Sequence, residues 1–453
     1  MTYQQDRMPA AIYPVLRHPR PDRAVCKDRR GELTAAQFLS DAIALAARLP
    51  RSAYVVNLCA DRYRFAVGLV ASLLCDQVTL LPMSAVAAPI VELAQDYPAL
   101  YALQDETLAR AEIPAFQFPE DLPKLTSKAM PPVPGFRGDQ PAVVLFTSGS
   151  TGRPMPHPRS WGALVASTAA AARRLGIDDL DGASVLGTIP HQHSYGLESI
   201  VMLSLQHGFA FHGGRPLLPV DVAARLVDLE SPRILITTPI HLRSLLSNDV
   251  TLPAMHRIVC ATAPLSSELA REAEQRFGAP LFEIYGCTEI GQIAVRRTVE
   301  TLEWSCIEGI TLEESGGEVR AMGPAAASAT PLNDIVEFLS SERFLLHGRK
   351  SDLVNIAGKR TALPYLNFHL NAIAGVLDGV FVMPSDGERV TRLCAYVVAP
   401  GLTADDVLTA LRRVIDPAFL PRPLHMVETL PRNQLGKLPI QALAQMHDDG
   451  AEQ

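Results

Sequence analysis

Short, wholly apolar runs alternate with segments of helical period along most of the chain, and that alternation narrows the fold more than any other feature. Thr34 to Leu49 repeats its apolar residues at helical spacing, and Ala53 to Leu58 reads as a buried strand. Arg64 to Cys75 is helical again, and Val78 to Pro82 is strand-like. Residues 120–140 are rich in Pro, Lys and Gly and read as a surface connection. Four further β-type runs follow, at Ala142–Phe146, Ser184–Ile189, Arg233–Thr237 and Arg257–Cys260. Strands that alternate with helices predict a parallel sheet covered by helices. The texture changes at the polar junction His347–Asn355. Beyond it lie strands at Val380–Met383 and Leu393–Val398 and a helix at Ala404–Ile415. The expected fold class is α/β: a large N-terminal domain of parallel-rich sheets, residues 1–348, and a small mobile α+β C-terminal domain, residues 349–453. A length of 453 residues suits two domains. The acidic tail after Met446 is expected to fray.

Composition excludes several classes. A formal net charge of -7 with both signs mixed gives no nucleic-acid footprint. The seven cysteines contain no CxxC pair, which argues against a disulfide framework or a structural zinc site and for reduced thiols in the cytoplasm. The N-terminus lacks the pattern of a signal peptide. The best apolar run, Phe65 to Cys75, is too short to span a bilayer, so no integral membrane segment is expected.

The sharpest chemical signal is Thr147-Ser148-Gly149-Ser150-Thr151-Gly152, placed directly after a buried strand. Glycines let the backbone approach a phosphate chain, and N–H and hydroxyl groups donate to its oxygens. The loop lacks the GK[ST] ending of a Walker A loop and the GxSxG of a hydrolase elbow.

The run VVLFTSGSTGRP, Val143 to Pro154, resembles the signature of the acyl-adenylate-forming superfamily, which includes acyl-CoA synthetases, luciferases and nonribosomal-peptide adenylation domains. Further stations follow in the family's order. Tyr285-Gly286-Cys287-Thr288-Glu289 resembles its YGxTE element. The resemblance implies adenine on Tyr285, phosphate on Thr288 and Mg²⁺ on Glu289, with Gly286 at the acyl pocket. A flat ring suits a base and a hard carboxylate suits a hard cation. Asp334 matches the ribose-binding aspartate, and Arg349 the arginine before the hinge, whose pivot falls at Lys350 or Ser351. In PRNQLGKLP, Lys437 matches the lysine that enters the site during adenylation.

Pro190 to Leu197, PHQHSYGL, resembles the PxxHxxG element beside the acyl pocket, with His193 as its histidine. The His191/His193 pair is not read as a metal site, because no further ligands accompany it. Tyr195, Gly196, Thr238, Ala261, Thr262 and Ala263 complete the implied pocket, the last three standing where the family has GGA. The GLESI run inside this element is rejected as a carrier-protein attachment motif.

The resemblance therefore implies an AMP-forming ligase that uses ATP and Mg²⁺ to activate a carboxylic acid. The acceptor would be the thiol of coenzyme A or of the phosphopantetheine arm of an acyl carrier protein. Tyr195 points to an aryl acid such as a hydroxybenzoate, with a fatty acid as the alternative. The short chain and PHPRSW also look like the stand-alone ligases of aryl-polyene pathways. One departure stands out: the family has Lys where this chain has Met155. Arg153, His157 or Arg159 could replace that charge, or the protein could be a degenerate nucleotide-binding paralogue. An unrelated phosphate-binding enzyme, such as a phosphotransferase, would instead release ADP.

Overall fold

The structure is a computed structural model that describes residues 11–82, 87–106, 113–122, 131–148, 154–324, 329–349, 353–356, 359–383, 393–432 and 438. Two large sheets carry the α/β part. In the first, Tyr54–Asn57 lies between Val78–Leu81 and Tyr101–Gln104, all parallel. Pro141–Ser148 joins the far side of Val78–Leu81, again parallel. The helices Ala35–Ala46 and Arg62–Leu74 start at Thr34 and Asp61, whose side chains accept from Gln37 N and Arg64 N. Each such cap is worth about 1 kcal/mol.

The second sheet has eleven strands. Its centre is parallel, in the order Leu281–Cys287, Arg257–Cys260, Arg233–Thr237, Ser184–Gly187, Ala210–His212 and Ala24–Asp28. Antiparallel strands extend it from Gly291–Arg296 through Trp304–Cys306 and Arg343–Arg349 to Asp334–Phe338. The parallel strands are apolar at their centres, as strands covered by helices on both faces are. A three-stranded sheet of Asp378–Val382, Cys394–Val398 and Leu424–Met426 packs with Leu363–Asn371 and Ala404–Leu411 around a core of its own, built on Leu366, Leu370, Phe381 and Val407. The fold is the expected large parallel-rich α/β part plus a small α+β part.

One sequence expectation needs correction, and one strand had no expectation. Residues 120–140 are not merely a connection, because Gly135–Arg137 pairs with Ile12–Pro14. The proline-rich stretch Pro154–Ser160 is a strand, antiparallel to Pro141–Ser148 at the sheet edge. Pro154, Pro156 and Pro158 share one parity, so all three can face away from the neighbour, the arrangement an edge strand tolerates. Among the described residues no helix is long and apolar enough to cross a membrane. All seven cysteines are free thiols.

Candidate active site

Thr147 is the penultimate residue of the strand Pro141–Ser148, and Ser148 pairs with Pro154 across the hairpin. Gly149, Ser150, Thr151, Gly152 and Arg153 lie outside the described residues, as do Lys350, Ser351 and Lys437. The Thr147 hydroxyl lies 2.8 Å from Nε2 of His157 on the returning strand. Burial lowers the His157 pKa, the Glu289 carboxylate opposes that, and Arg159 adds to it. The imidazole is therefore neutral at pH 7 and does not restore the missing charge. Met155, directly opposite Thr147, is 57% exposed.

Arg159 occupies a different place. It is buried, and its guanidinium donates to the Thr288 carbonyl. That bond joins the base of the phosphate hairpin to the YGCTE segment, 129 residues away in sequence. The strand then enters the helix Trp161–Leu175, where the Ser160 side chain caps Ala163 N and the Trp161 indole donates to Tyr13 O at 3.2 Å.

At the other end, Tyr285 packs edge-on against Phe344 at 5.9 Å and lies 5.7 Å from Trp304. Its hydroxyl donates to Oδ2 of Asp334 at 2.7 Å. The ladder sets Asp334 directly opposite Arg349. The predicted adenine, ribose and pre-hinge residues thus share one corner of the large sheet. Gly286 follows a register shift in the ladder, and a Cβ there would lie 2.4 Å from the Gly291 carbonyl oxygen. Thr288 and Glu289 are half-buried in the turn that follows. Among the described residues no group of three His, Cys, Asp or Glu could hold a metal by itself. Glu289 alone fits Mg²⁺ arriving with a nucleotide, since that ion takes one or two carboxylates together with substrate phosphates.

The predicted acyl pocket sits at the carboxyl ends of three parallel strands, where open α/β sheets bind ligands. The Tyr195 hydroxyl lies within reach of two strand-end carbonyls, Thr237 O at 3.2 Å and Val259 O at 3.1 Å. Its polar tip is therefore engaged by the protein, and its ring is what it offers a substrate. Gly196 packs so closely that a Cβ would lie 2.0 Å from the Pro190 carbonyl oxygen. Thr238 caps the helix Pro239–Leu246. Thr262 adopts φ 80°, a conformation costly for a β-branched residue by about 1–3 kcal/mol. Ala261 is buried and Ala263 half-buried on either side of it.

His193 is half-buried at the start of the short helix Ser194–Gly196. His191 plays another part. Its Nε2 donates to Cys59 O at 2.9 Å, and burial pushes its pKa down to about 3. Glu198 of the GLESI run is buried and accepts from Ser194 and Ser167 at 2.7 and 2.9 Å, which agrees with rejecting it as an attachment motif.

Sequence reasoning missed several supporting residues. Arg62 is fully buried and donates to four carbonyls, His212, Gly214, Gly187 and Ile189, pinning the start of the PHQHSYG element. Thr188 bridges Thr237 at 3.1 Å and Nδ1 of His241 at 2.8 Å. Burial, with Arg215 nearby, pushes the His241 pKa down to about 4, so a neutral imidazole borders the pocket. Only the position of Thr188 just before the PxxHxxG element could have flagged it.

Comparison with known proteins gives a consistent picture. The family model described as AMP-binding enzyme matches residues 51–311. The 4-coumarate–CoA ligase of Rhodobacter capsulatus is 28% identical over 275 residues, covering 59% of this chain and 67% of that protein. The indoleacetate–CoA ligase of Aromatoleum aromaticum is 26% identical over 384 residues, 74% of each. Among solved structures, ATP-bound MatB from Rhodopseudomonas palustris superimposes with a TM-score of 0.80 at 17% identity, covering 96% of this chain and 97% of that one. The o-succinylbenzoate coenzyme A synthetase of Bacillus subtilis, in complex with ATP and magnesium ion, gives 0.78 at 19% identity, covering 92% and 96%. Those two likenesses speak for the fold.

Proposed function

Because the chain belongs to the AMP-binding enzyme family, we propose that this AMP-forming acid–thiol ligase acts on an aryl carboxylic acid, of the size and shape of a hydroxybenzoate. The observation that carries the reading is the Arg159–Thr288 contact, which draws the phosphate hairpin and the Tyr285–Glu289 segment into one nucleotide site. A carboxylate oxygen of the acid attacks the α-phosphorus of ATP. The new P–O bond forms as the bond to the bridging oxygen breaks, and pyrophosphate leaves with that electron pair. Glu289 would hold Mg²⁺, which neutralises charge on the phosphates. Lys437 would supply a cation where negative charge accumulates on the α-phosphoryl group. A thiolate, from coenzyme A or a carrier-protein phosphopantetheine arm, then attacks the acyl carbon and displaces AMP. The domain boundary is placed at residues 348/349 and the pivot at Lys350 or Ser351, so that rotation of the small domain withdraws Lys437 and admits the thiol. The reaction belongs in the cytoplasm, where the free thiols would stay reduced.

Two features support a flat, compact acid over a fatty acid. Tyr195 lies across the crevice between the ends of Arg233–Thr237 and Arg257–Cys260, which a long alkyl chain would need open. Thr262 stands where the resemblance implies glycine. Aromatic substrates in the names of the relatives, 4-coumarate and indoleacetate, point the same way.

The test is pyrophosphate release with MgATP and a panel of hydroxybenzoates, cinnamates and fatty acids, with hydroxylamine to trap the adenylate. Acid-dependent pyrophosphate and AMP, greatest with an aryl acid, is expected. Thr262→Gly should widen the accepted acids. ADP as the product would exclude adenylation. ATP binding without pyrophosphate from any acid would favour the degenerate paralogue, the reading that Met155 and a neutral His157 support.

A further inference from the structure

The geometry points to Asp378 as a positioning residue that ties the segment leading into Lys437 to the large α/β part through Arg243. This rests on the proposed use of Lys437 in adenylation. Asp378 opens the strand Asp378–Val382, with its side chain only 12% exposed. Arg432, five residues before Lys437, grips it with a two-pronged fork: Nε donates to Oδ2 at 2.6 Å and Nη2 to Oδ1 at 2.8 Å. From the other side, Nη1 of Arg243 lies 3.9 Å from the same Oδ1. Arg243 belongs to the helix Pro239–Leu246, the helix that carries the pocket residue His241 and is capped by Thr238.

The two contacts differ in kind. A fork to a carboxylate fixes orientation as well as distance, so Arg432 is held in direction as well as in place. The Arg243 contact is a looser point attraction, and it crosses between the two parts. Such a contact can form in one arrangement and break in another at little cost. Asp378 is also what lets two guanidiniums share this spot. Burial lowers the pKa of Arg243, Asp378 opposes that, and the charge of Arg432 adds to the lowering. Without the carboxylate the two arginines repel, and the segment before Lys437 is driven from the helix beside the pocket. Asp378 therefore favours the arrangement that serves adenylation, and the arrangement that serves thiol transfer gives up the Arg243 contact.

Arg243→Gln removes only the crossing contact and leaves the fork intact. It should lower acid-dependent pyrophosphate release about fivefold, within the range of single-contact couplings, and leave thiol transfer from a supplied acyl-adenylate unchanged. Asp378→Asn should lose more of the first half-reaction, and the double variant should be no worse than Asp378→Asn alone. A second readout does not depend on turnover: spin labels at the exposed positions Glu272 and Asp405, on the two parts. Their distance distribution should broaden in Arg243→Gln. An equal fall in both half-reactions, or an unchanged distance distribution, would overturn the assignment. If the unsubstituted enzyme releases no pyrophosphate with any acid, the adenylation reading fails instead, and the label distances still judge the latch.

Discussion

The two ends of the proposed nucleotide site are built differently. The base and ribose end is finished by the protein itself: Tyr285 is wedged against Trp304 and Phe344, and its hydroxyl holds Asp334. The phosphate end has a hairpin whose described side chains supply a hydroxyl, a neutral imidazole and an exposed methionine, with its buried cation, Arg159, turned to the Thr288 carbonyl. On the proposed assignment, recognition of the base is preorganised. Neutralisation of the phosphates would then be left to charge that arrives later, on Mg²⁺ and on Lys437. An enzyme arranged this way should bind the nucleoside part well before the small domain closes, and should depend heavily on closure for chemistry.

The strongest way to break that comparison is Lys437→Ala. Loss of one group that stabilises developing charge costs about 100- to 1000-fold. The loss should fall on acyl-adenylate formation and spare thiolation of a supplied adenylate. Equal loss of both half-reactions would refute that division, and a small loss would mean the phosphate end is better furnished than its described residues suggest.

Arg159→Met tests the joint between the ends. It leaves the Thr288 carbonyl without this donor, a defect of about 1–3 kcal/mol, or roughly 5- to 150-fold. The loss should appear in kcat/KM for ATP, with AMP binding less affected, because Tyr285 and Asp334 stay paired. An equal loss of ATP and AMP affinity would show that the two ends are not separable.

Local chemistry was legible in the sequence where one segment carried it. The strand followed by Thr147-Ser148 and glycines suggested a phosphate loop, the family resemblance added the YGCTE run and Asp334, and the apolar alternation announced parallel sheets. What the sequence hid were contacts between distant segments. The Tyr285–Asp334 bond spans 49 residues and the Arg159–Thr288 bond 129, and neither partner is unusual in its own neighbourhood. PMPHPRS carries no strand signal of its own because proline disfavours sheets, yet prolines of one parity suit an edge strand. The sequence offered Tyr195 as an aromatic wall with a polar tip, but the fate of its hydroxyl depended on two strand ends that only the fold brings together.

A smaller effect concerns the scaffold under the acyl side. His191 has its pKa pushed down to about 3 by burial, against an ordinary value of 6.5. Between those values the unfolded chain binds a proton that the native state refuses. The stability this group confers is complete above pH 6.5 and falls as the pH drops, by about 1.4 kcal/mol per pH unit. His18 and His241, each lowered to about 4, add to the slope. Urea midpoints from pH 7 to pH 5 should fall steadily, and His191→Gln should flatten the decline by one proton's share. An unchanged slope would place the titrating groups elsewhere and free the acyl side from this pH control.

Met155→Lys should have the smallest effect, and its direction is a gain. The position is 57% exposed, so a lysine there works through water. An exposed charge contact is worth about 0.2–1 kcal/mol, which limits the improvement in ATP affinity to roughly fivefold. The gain should shrink as salt rises, because screening removes exposed attractions first. A gain of roughly a hundredfold, far beyond that exposed-contact range, would mean that methionine leaves the β- and γ-phosphates without a cation that nothing else supplies. The phosphate end would then be impaired, where the comparison holds it to be completed on closure. No change at all would mean that Mg²⁺ and the groups around the loop already satisfy those oxygens, and that the methionine costs this enzyme nothing.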